Sequence, residues 1–146
     1  MQKLNQLLLH PSRQVGAGLI AWLGAGGGEG LLAAMENPQS IVPTLQEARL
    51  GGMGGAGFPT WRKWEAAVNA QSKNGDRYVV CNANEDEPGT FKDRYLLEHT
   101  PHQVIEGALI AAVATRANHV ILYINPHQTE SIAAVSEAIA QWYAHE

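Results

Sequence analysis

The chain has 146 residues, 45% of them hydrophobic and 16% charged, with a net charge of −4, enough for one compact domain burying roughly 70% of its unfolded surface. Mild acidity excludes a global attraction to nucleic acid or to an anionic membrane, so any phosphate recognition must be local. A lone Cys81 excludes an intrachain disulfide and any cluster held by several cysteines of this chain, and no apolar run reaches the roughly 18 residues of a membrane span.

The first residues, MQKLNQLLLHPSRQ, carry a leucine run ended by Pro11 and read as part of an N-terminal arm over residues 1–26. They lack a signal-peptide pattern, so a cytoplasmic protein is expected. Glycines at 24, 26, 27, 28 and 30 fit a flexible turn into a short helix, LLAAMEN, which Pro38 stops. IVPTLQEARL suits a helix with Pro43 in its first turn and Leu45, Ala48 and Arg49 at helical spacing. The glycine run Gly51 to Gly57 therefore follows a helix. After it, Thr60 can cap a helix WRKWEAAVNAQ in which Trp61, Trp64, Ala67 and Val68 share a face.

RYVVCNAN, residues 77–84, is a β-branched run bounded by turn formers and predicts a buried strand, and HVILYIN, residues 119–125, predicts a second. Between them PHQVIEGALIAAVATRAN predicts a helix with Val104, Ile105, Ala108, Leu109 and Ala112 as its apolar stripe. Strand, helix and strand of these lengths form a βαβ unit with parallel strands and a right-handed crossover. The closing HQTESIAAVSEAIAQWYAHE predicts a helix that packs Ile132, Val135, Ile139 and Trp142 back on the sheet.

Two stretches carry candidate chemistry. Gly52, Gly54 and Gly57 satisfy G-x-G-x-x-G, in which backbone amides approach an anion, although the strand that precedes such a loop in a dinucleotide fold is replaced here by a helix. A tight helix-to-helix corner is the alternative. Phe58 can stack on a flat ring, and Lys63 can meet a phosphate as a point charge; a core Phe and a solvated basic face are the alternatives. The second stretch, CNANEDEPGTFKDR, lies at the carboxyl end of the first strand, where open α/β sheets place ligands. There Asn82 and Asn84 offer amides, and Glu85, Asp86 and Glu87 offer carboxylates able to receive ribose hydroxyls, or else form a solvated turn. No metal site is expected, because the acids lack the alternation of a calcium loop and the six histidines lack paired helical spacing. His99 and His102 straddle Pro101 and are expected to cap or face solvent, and Cys81 is expected to be a buried, inert thiol.

Taken together, GGMGGAGFPTWRKW, YVVCNANEDEPGTFKDRYLLEHTPHQVIEGALIAA and VILYIN resemble the NADH- and FMN-binding flavoprotein subunit of respiratory complex I, from about Gly30 onward and in its N-terminal part only. The same module occurs in NAD-dependent formate dehydrogenases and NAD-reducing hydrogenases. In that family the motifs read G-R-G-G-A-G-F-P-T-G-x-K-W and N-A-D-E-x-E-P-G-T-x-K-D-R, followed by P-H-x-x-I-E-G. The resemblance implies an α/β, three-layer Rossmann-like FMN-binding domain over residues 27–146, with a short parallel sheet preceded by N-terminal helices. It also implies FMN and NAD(H) as cofactors and NADH passing a hydride to FMN as part of a larger oxidoreductase. The flavin carries the chemistry, so no catalytic side chain is required.

Carried over position by position, Gly52, Gly54, Gly55, Ala56, Gly57 and Phe58 form the loop against the cofactor, with Phe58 near the NADH adenine. Lys63 faces the cofactor anions, and Asn82, Glu85 and Glu87 contact FMN and the dinucleotide. Met53 and Asn84 occupy contact positions but depart from the pattern, standing where the family has Arg and Asp, and Trp61 stands where it has Gly. YINPHQ stands where the family continues Y-I-R-G-E-Y, and the family's second glycine-rich segment and its cysteine-ligated cluster domain lie beyond Glu146. Expected partners are therefore iron–sulfur electron-transfer subunits or a completing C-terminal chain, with the 4Fe-4S cluster not ligated by this chain. The expected location is the cytoplasm, peripheral to the membrane through a complex. A non-catalytic binding or assembly subunit that keeps the fold is the alternative function. Membrane-linked electron-transport subunits share the G-G-A-G-F-P-T loop, but their second motif has a cysteine among the acids, and CNANEDEPGTFKDR follows the complex I type.

Overall fold

A computed structural model describes residues 9–145; the first part of the expected N-terminal arm, residues 1–8, lies outside the described residues, as does Glu146. After a 3-10 turn at Pro11–Arg13 come helices α1 (Leu19–Gly24), α2 (Glu29–Glu36), α3 (Ile41–Glu47) and α4 (Thr60–Asn69). Strand β1 (Tyr78–Ala83) is followed by α5 (Lys92–His99) and α6 (Pro101–Thr115), then by β2 (His119–Ile124) and α7 (Thr129–Ala144). The two strands pair as a short parallel sheet, the α/β arrangement that the strand-helix-strand pattern predicts. No helix among the described residues is long and apolar enough to cross a membrane.

The chain divides into two compact units, one made of Met1–Glu29, Cys81–Glu106 and Leu122–Glu146, the other of Gly30–Val80 and Gly107–Ile121. In the first unit Ala83, Leu122 and Ile124 from the strands meet Leu97 of α5, Val104 of α6, and Val135 and Ile139 of α7. Helix α1 is short and glycine-flanked, and its first amide is satisfied across the fold, Leu19 N–H donating to Gln141 Oε1 at 2.8 Å. Its Trp22 is buried, and the ring lies flat against Gly27, where an added Cβ would come within 2.2 Å of the indole. Thus Gly27 is set by packing, whereas Gly26 and Gly28 take left-handed φ values of 81° and 85°.

In the second unit Ala34, Ile41 and Ala114 form the core, with Leu45, Trp64, Ile110 and Val113 against it. Helix α3 stops at Arg49, which adopts a left-handed φ of 51° while Leu50 N–H donates back to Leu45 O. Arg77 joins the carboxyl ends of two helices. Its guanidinium donates to Ala67 O, Val68 O and Ala70 O at the end of α4 and to Thr115 O at the end of α6, at 2.9–3.2 Å. A cation there satisfies orphaned carbonyls and opposes the negative ends of both helix dipoles.

Several expectations are corrected. RYVVCNAN is a strand but not a buried one: only Ala83 is buried, and Tyr78 and Val80 on the opposite face are 57% and 58% exposed, because they meet the His119 ring stacked on Tyr78 and an open cleft rather than a packed layer. Thr60 does not cap α4; it is the first helical residue and its side chain makes no cap hydrogen bond. The expected stripe on α6 is too narrow, since Pro101, His102, Glu106, Ala111, Ala114 and Thr115 are buried as well. On α7 Val135 and Ile139 pack on the sheet as expected, but Ile132 is exposed, and Ala138 and Ser131, whose hydroxyl donates to Glu98, are buried instead. Helices α1 and α5 have no counterpart in the sequence pattern.

Candidate functional site

The glycine loop belongs to the second unit. Gly51 and Pro59 form an antiparallel bridge, Gly52 N–H donates to Phe58 O at 2.8 Å, and Thr60 N–H donates to Leu50 O at 3.0 Å. These bonds close the base and present residues 52–58 as an exposed tip. Gly55 and Gly57 have left-handed φ values of 100° and 61°, so the turn itself requires them. Gly54 is different. Its φ is not left-handed, and an added Cβ would meet nothing within 4 Å, so neither backbone conformation nor internal packing explains the missing side chain. Ala56 is exposed beside it, Phe58 is 55% exposed, and Met53 is 71% exposed where the related motif carries Arg. Phe58 is therefore not a core residue.

Lys63 lies in the first turn of α4, exposed, and its ammonium makes no bond to a described residue. It lines a cleft of about 320 Å³ with Trp64, Val80, Arg77, Tyr78 and Thr115, so an uncommitted cation stands at a wall of mixed apolar and polar groups. Arg62 does not share that role, because its guanidinium sits over the Trp61 ring at 5.2 Å.

The acidic stretch belongs to the first unit and is more ordered than a solvated turn. Glu85 caps α5 from outside the helix: its Oε1 accepts from Asp93 N–H at 3.0 Å and its Oε2 from Arg94 N–H at 3.4 Å, each oxygen keeping a second lone pair. Asn82 is exposed, and its Oδ1 accepts from Asn84 N–H at 3.1 Å. Asn84 Nδ2 donates to Asp86 Oδ2, and Asn125 Nδ2, from the end of β2, donates to Asp86 Oδ1 at 2.9 Å. Glu87 uses its backbone carbonyl to accept from the Thr90 amide and hydroxyl, and its exposed carboxylate bonds no described residue. Gly89, with φ 83°, completes the turn. Burial, with a smaller push from Asp93, raises the pKa of the Cys81 thiol, so it stays protonated. Among the described residues no group of three or more His, Cys, Asp or Glu side chains could hold a metal.

The segment PHQVIEG proves to be structural. His102 is fully buried, contrary to the expectation that it caps or faces solvent: Trp142 Nε1–H donates to its Nδ1 at 3.0 Å and its ring lies 6.4 Å from that of Trp22. That bond places the proton of the neutral ring on Nε2. Burial holds the pKa of His102 below 6.5, offset in part by the backbone of Ala17. Glu106, four residues on and also buried, accepts from Gly28 N–H at 2.8 Å. The i, i+4 spacing of two ionisable groups on a largely apolar helix was the available signal for both.

Residues 45–146 match the Nuo51 FMN-binding domain. The chain is 38% identical over 139 residues to an NADH-quinone oxidoreductase subunit of Aquifex aeolicus, covering 94% of this chain and 32% of that protein. It is 46% identical over 87 residues to the alpha subunit of the NAD-reducing hydrogenase HoxS of Cupriavidus necator, covering 60% of this chain and 14% of that protein. A crystal structure of an NAD+-reducing [NiFe]-hydrogenase superposes with a TM-score of 0.73 at 34% identity, over 84% of this chain and 22% of that one. The chain thus spans a third or less of the length of these relatives. With the motif-bearing loops in place and the fold shared over most of its length, this chain belongs to the Nuo51 FMN-binding domain family.

Proposed function

We propose that the chain binds FMN and NAD(H) and works as an NADH dehydrogenase-type electron-transfer module of a larger oxidoreductase. FMN held there would supply the redox chemistry, two-electron with NADH and one-electron toward iron–sulfur centres of a partner or completing chain. The protein's part is to hold and orient. Gly54 carries the reading: an exposed glycine that the chain's own packing does not require fits a loop approached closely by something outside the chain. Beside it Gly52, Gly55, Ala56 and Gly57 offer open backbone and Phe58 an exposed ring face, while Lys63, in the cleft along β1, offers an unpaired cation for phosphate. On the acidic side the Glu87 carboxylate and the NH2 of Asn82 are the groups open to hydroxyls, while Glu85 and Asn84 contribute through lone pairs left over from their internal bonds.

A second reading rests on Met53. A thioether at the tip of the loop, in place of a guanidinium, removes a charge-assisted contact, and on this reading the function reduces to binding or assembly without turnover. NADH-dependent ferricyanide reduction by the purified chain with added FMN separates the two. Saturable turnover supports the electron-transfer module, and flavin binding without turnover supports the binding protein.

A further inference from the structure

We infer that Asp86 and Asn125 are positioning residues that together aim the acidic motif, an inference that rests on the FMN reading above. Asp86 occupies the position that the related motif N-A-D-E-x-E leaves open, and Asn84 and Asn125 stand where the related patterns carry Asp and Arg. The structure brings these three positions together. Both amides turn their NH2 groups onto one carboxylate, Asn84 onto Oδ2 and Asn125 onto Oδ1. The orientation of Asn125 is fixed independently, because its Oδ1 accepts from His127 N–H at 2.9 Å and only its NH2 remains for Asp86.

The result is a continuous tie from Asn82 Oδ1 through Asn84 and Asp86 to Asn125 and the His127 backbone, joining the carboxyl ends of β1 and β2. In a chain with Asp at 84, a second carboxylate would stand two residues from Asp86 and no NH2 would reach it from that position. The negative charge has in effect moved along the loop, and neutral donors have replaced the charged neighbours. Glu87 follows Asp86 directly and its exposed carboxylate bonds no described residue, so the backbone that the tie holds sets where that side chain starts.

The test compares Asp86→Ala, Asn125→Ala and the double variant, with Asp86→Asn as the conservative control that keeps one acceptor oxygen. FMN affinity is read by flavin fluorescence, and hydrogen exchange is read at the Asn84 and His127 amides. Each single variant is expected to weaken FMN by roughly fivefold and to speed both amides, with Asp86→Asn intermediate. The double variant is expected to be no more than about twofold worse than either single, since both break the same tie. Effects that multiply, or faster exchange with unchanged FMN affinity, overturn the inference. Absence of FMN binding by the unmodified protein sinks the flavin reading instead, while the tie still stands or falls on the exchange rates.

Discussion

Gly27 and Gly54 separate packing from function. An added Cβ at Gly27 would come within 2.2 Å of Trp22, against an ordinary contact of at least 3.4 Å, so the indole or the turn must yield by about 1.2 Å. Neither has room: Trp22 is 2% exposed and stacks toward His102, and the next residue, Gly28, is pinned to Glu106. Overpacking of this kind costs about 1–3 kcal/mol, which for a chain of this size lowers the thermal midpoint by about 4–10 °C. At Gly54 the same substitution meets nothing within 4 Å. Gly54→Ala should leave the melting temperature within about 2 °C of the unmodified protein, yet weaken FMN binding. Thermal unfolding followed by far-UV circular dichroism, paired with flavin fluorescence, reads both variants. Equal destabilisation by the two substitutions, or a Gly54→Ala protein with full flavin affinity, would erase the distinction between the two glycines.

Three further outcomes follow from particular contacts. Arg77→Met keeps the aliphatic stem but abandons four helix-terminal carbonyls, and should cost about 2–4 kcal/mol, seen as a lower urea midpoint; an unchanged midpoint counts against the joint between α4 and α6. His102 has its pKa lowered by burial, so below pH 6.5 the unfolded chain takes up a proton that the folded chain refuses. Stability should therefore be level in this respect above pH 6.5 and fall as the pH drops from there toward the folded pKa, and His102→Gln should lose that slope; denaturant midpoints between about pH 5 and 8 check the sign. Met53→Arg restores a guanidinium at the loop tip and should tighten FMN about three- to tenfold, an effect that salt at about 0.5 M should diminish.

Much of this fold was legible because its segments are locally consistent. Gly51 to Trp64 and Cys81 to Arg94 each combine turn formers with polar groups at fixed offsets, and the β-branched runs beside them read directly as strands. What the pattern could not reveal was tertiary. The strand YVVCNA looks buried because its residues are apolar, but exposure depends on what lies over the face, and Tyr78 and Val80 border an open cleft rather than a packed layer. His102 looked like a surface histidine because its partners, Trp22 and Trp142, are far away in sequence. In the acidic motif, residue types pointed to ligand contacts for Glu85, whereas the fold shows that its oxygens also hold the Asp93 and Arg94 amides in the first turn of α5. The roles of Arg77 and Asn125 were invisible for the same reason: an Arg before a strand and an Asn after one are ordinary boundary residues until their contacts are known.

Whether the glycine loop and Lys63 form a cofactor-binding surface is decided by titrating FMN with the purified chain, following flavin fluorescence, and repeating the titration with Lys63→Ala. Saturable quenching by the unmodified protein, weakened about tenfold or more in Lys63→Ala, is the expected result. An unchanged flavin spectrum at high protein concentration, or equal quenching by both proteins, would mean that the loop and Lys63 do not hold the flavin.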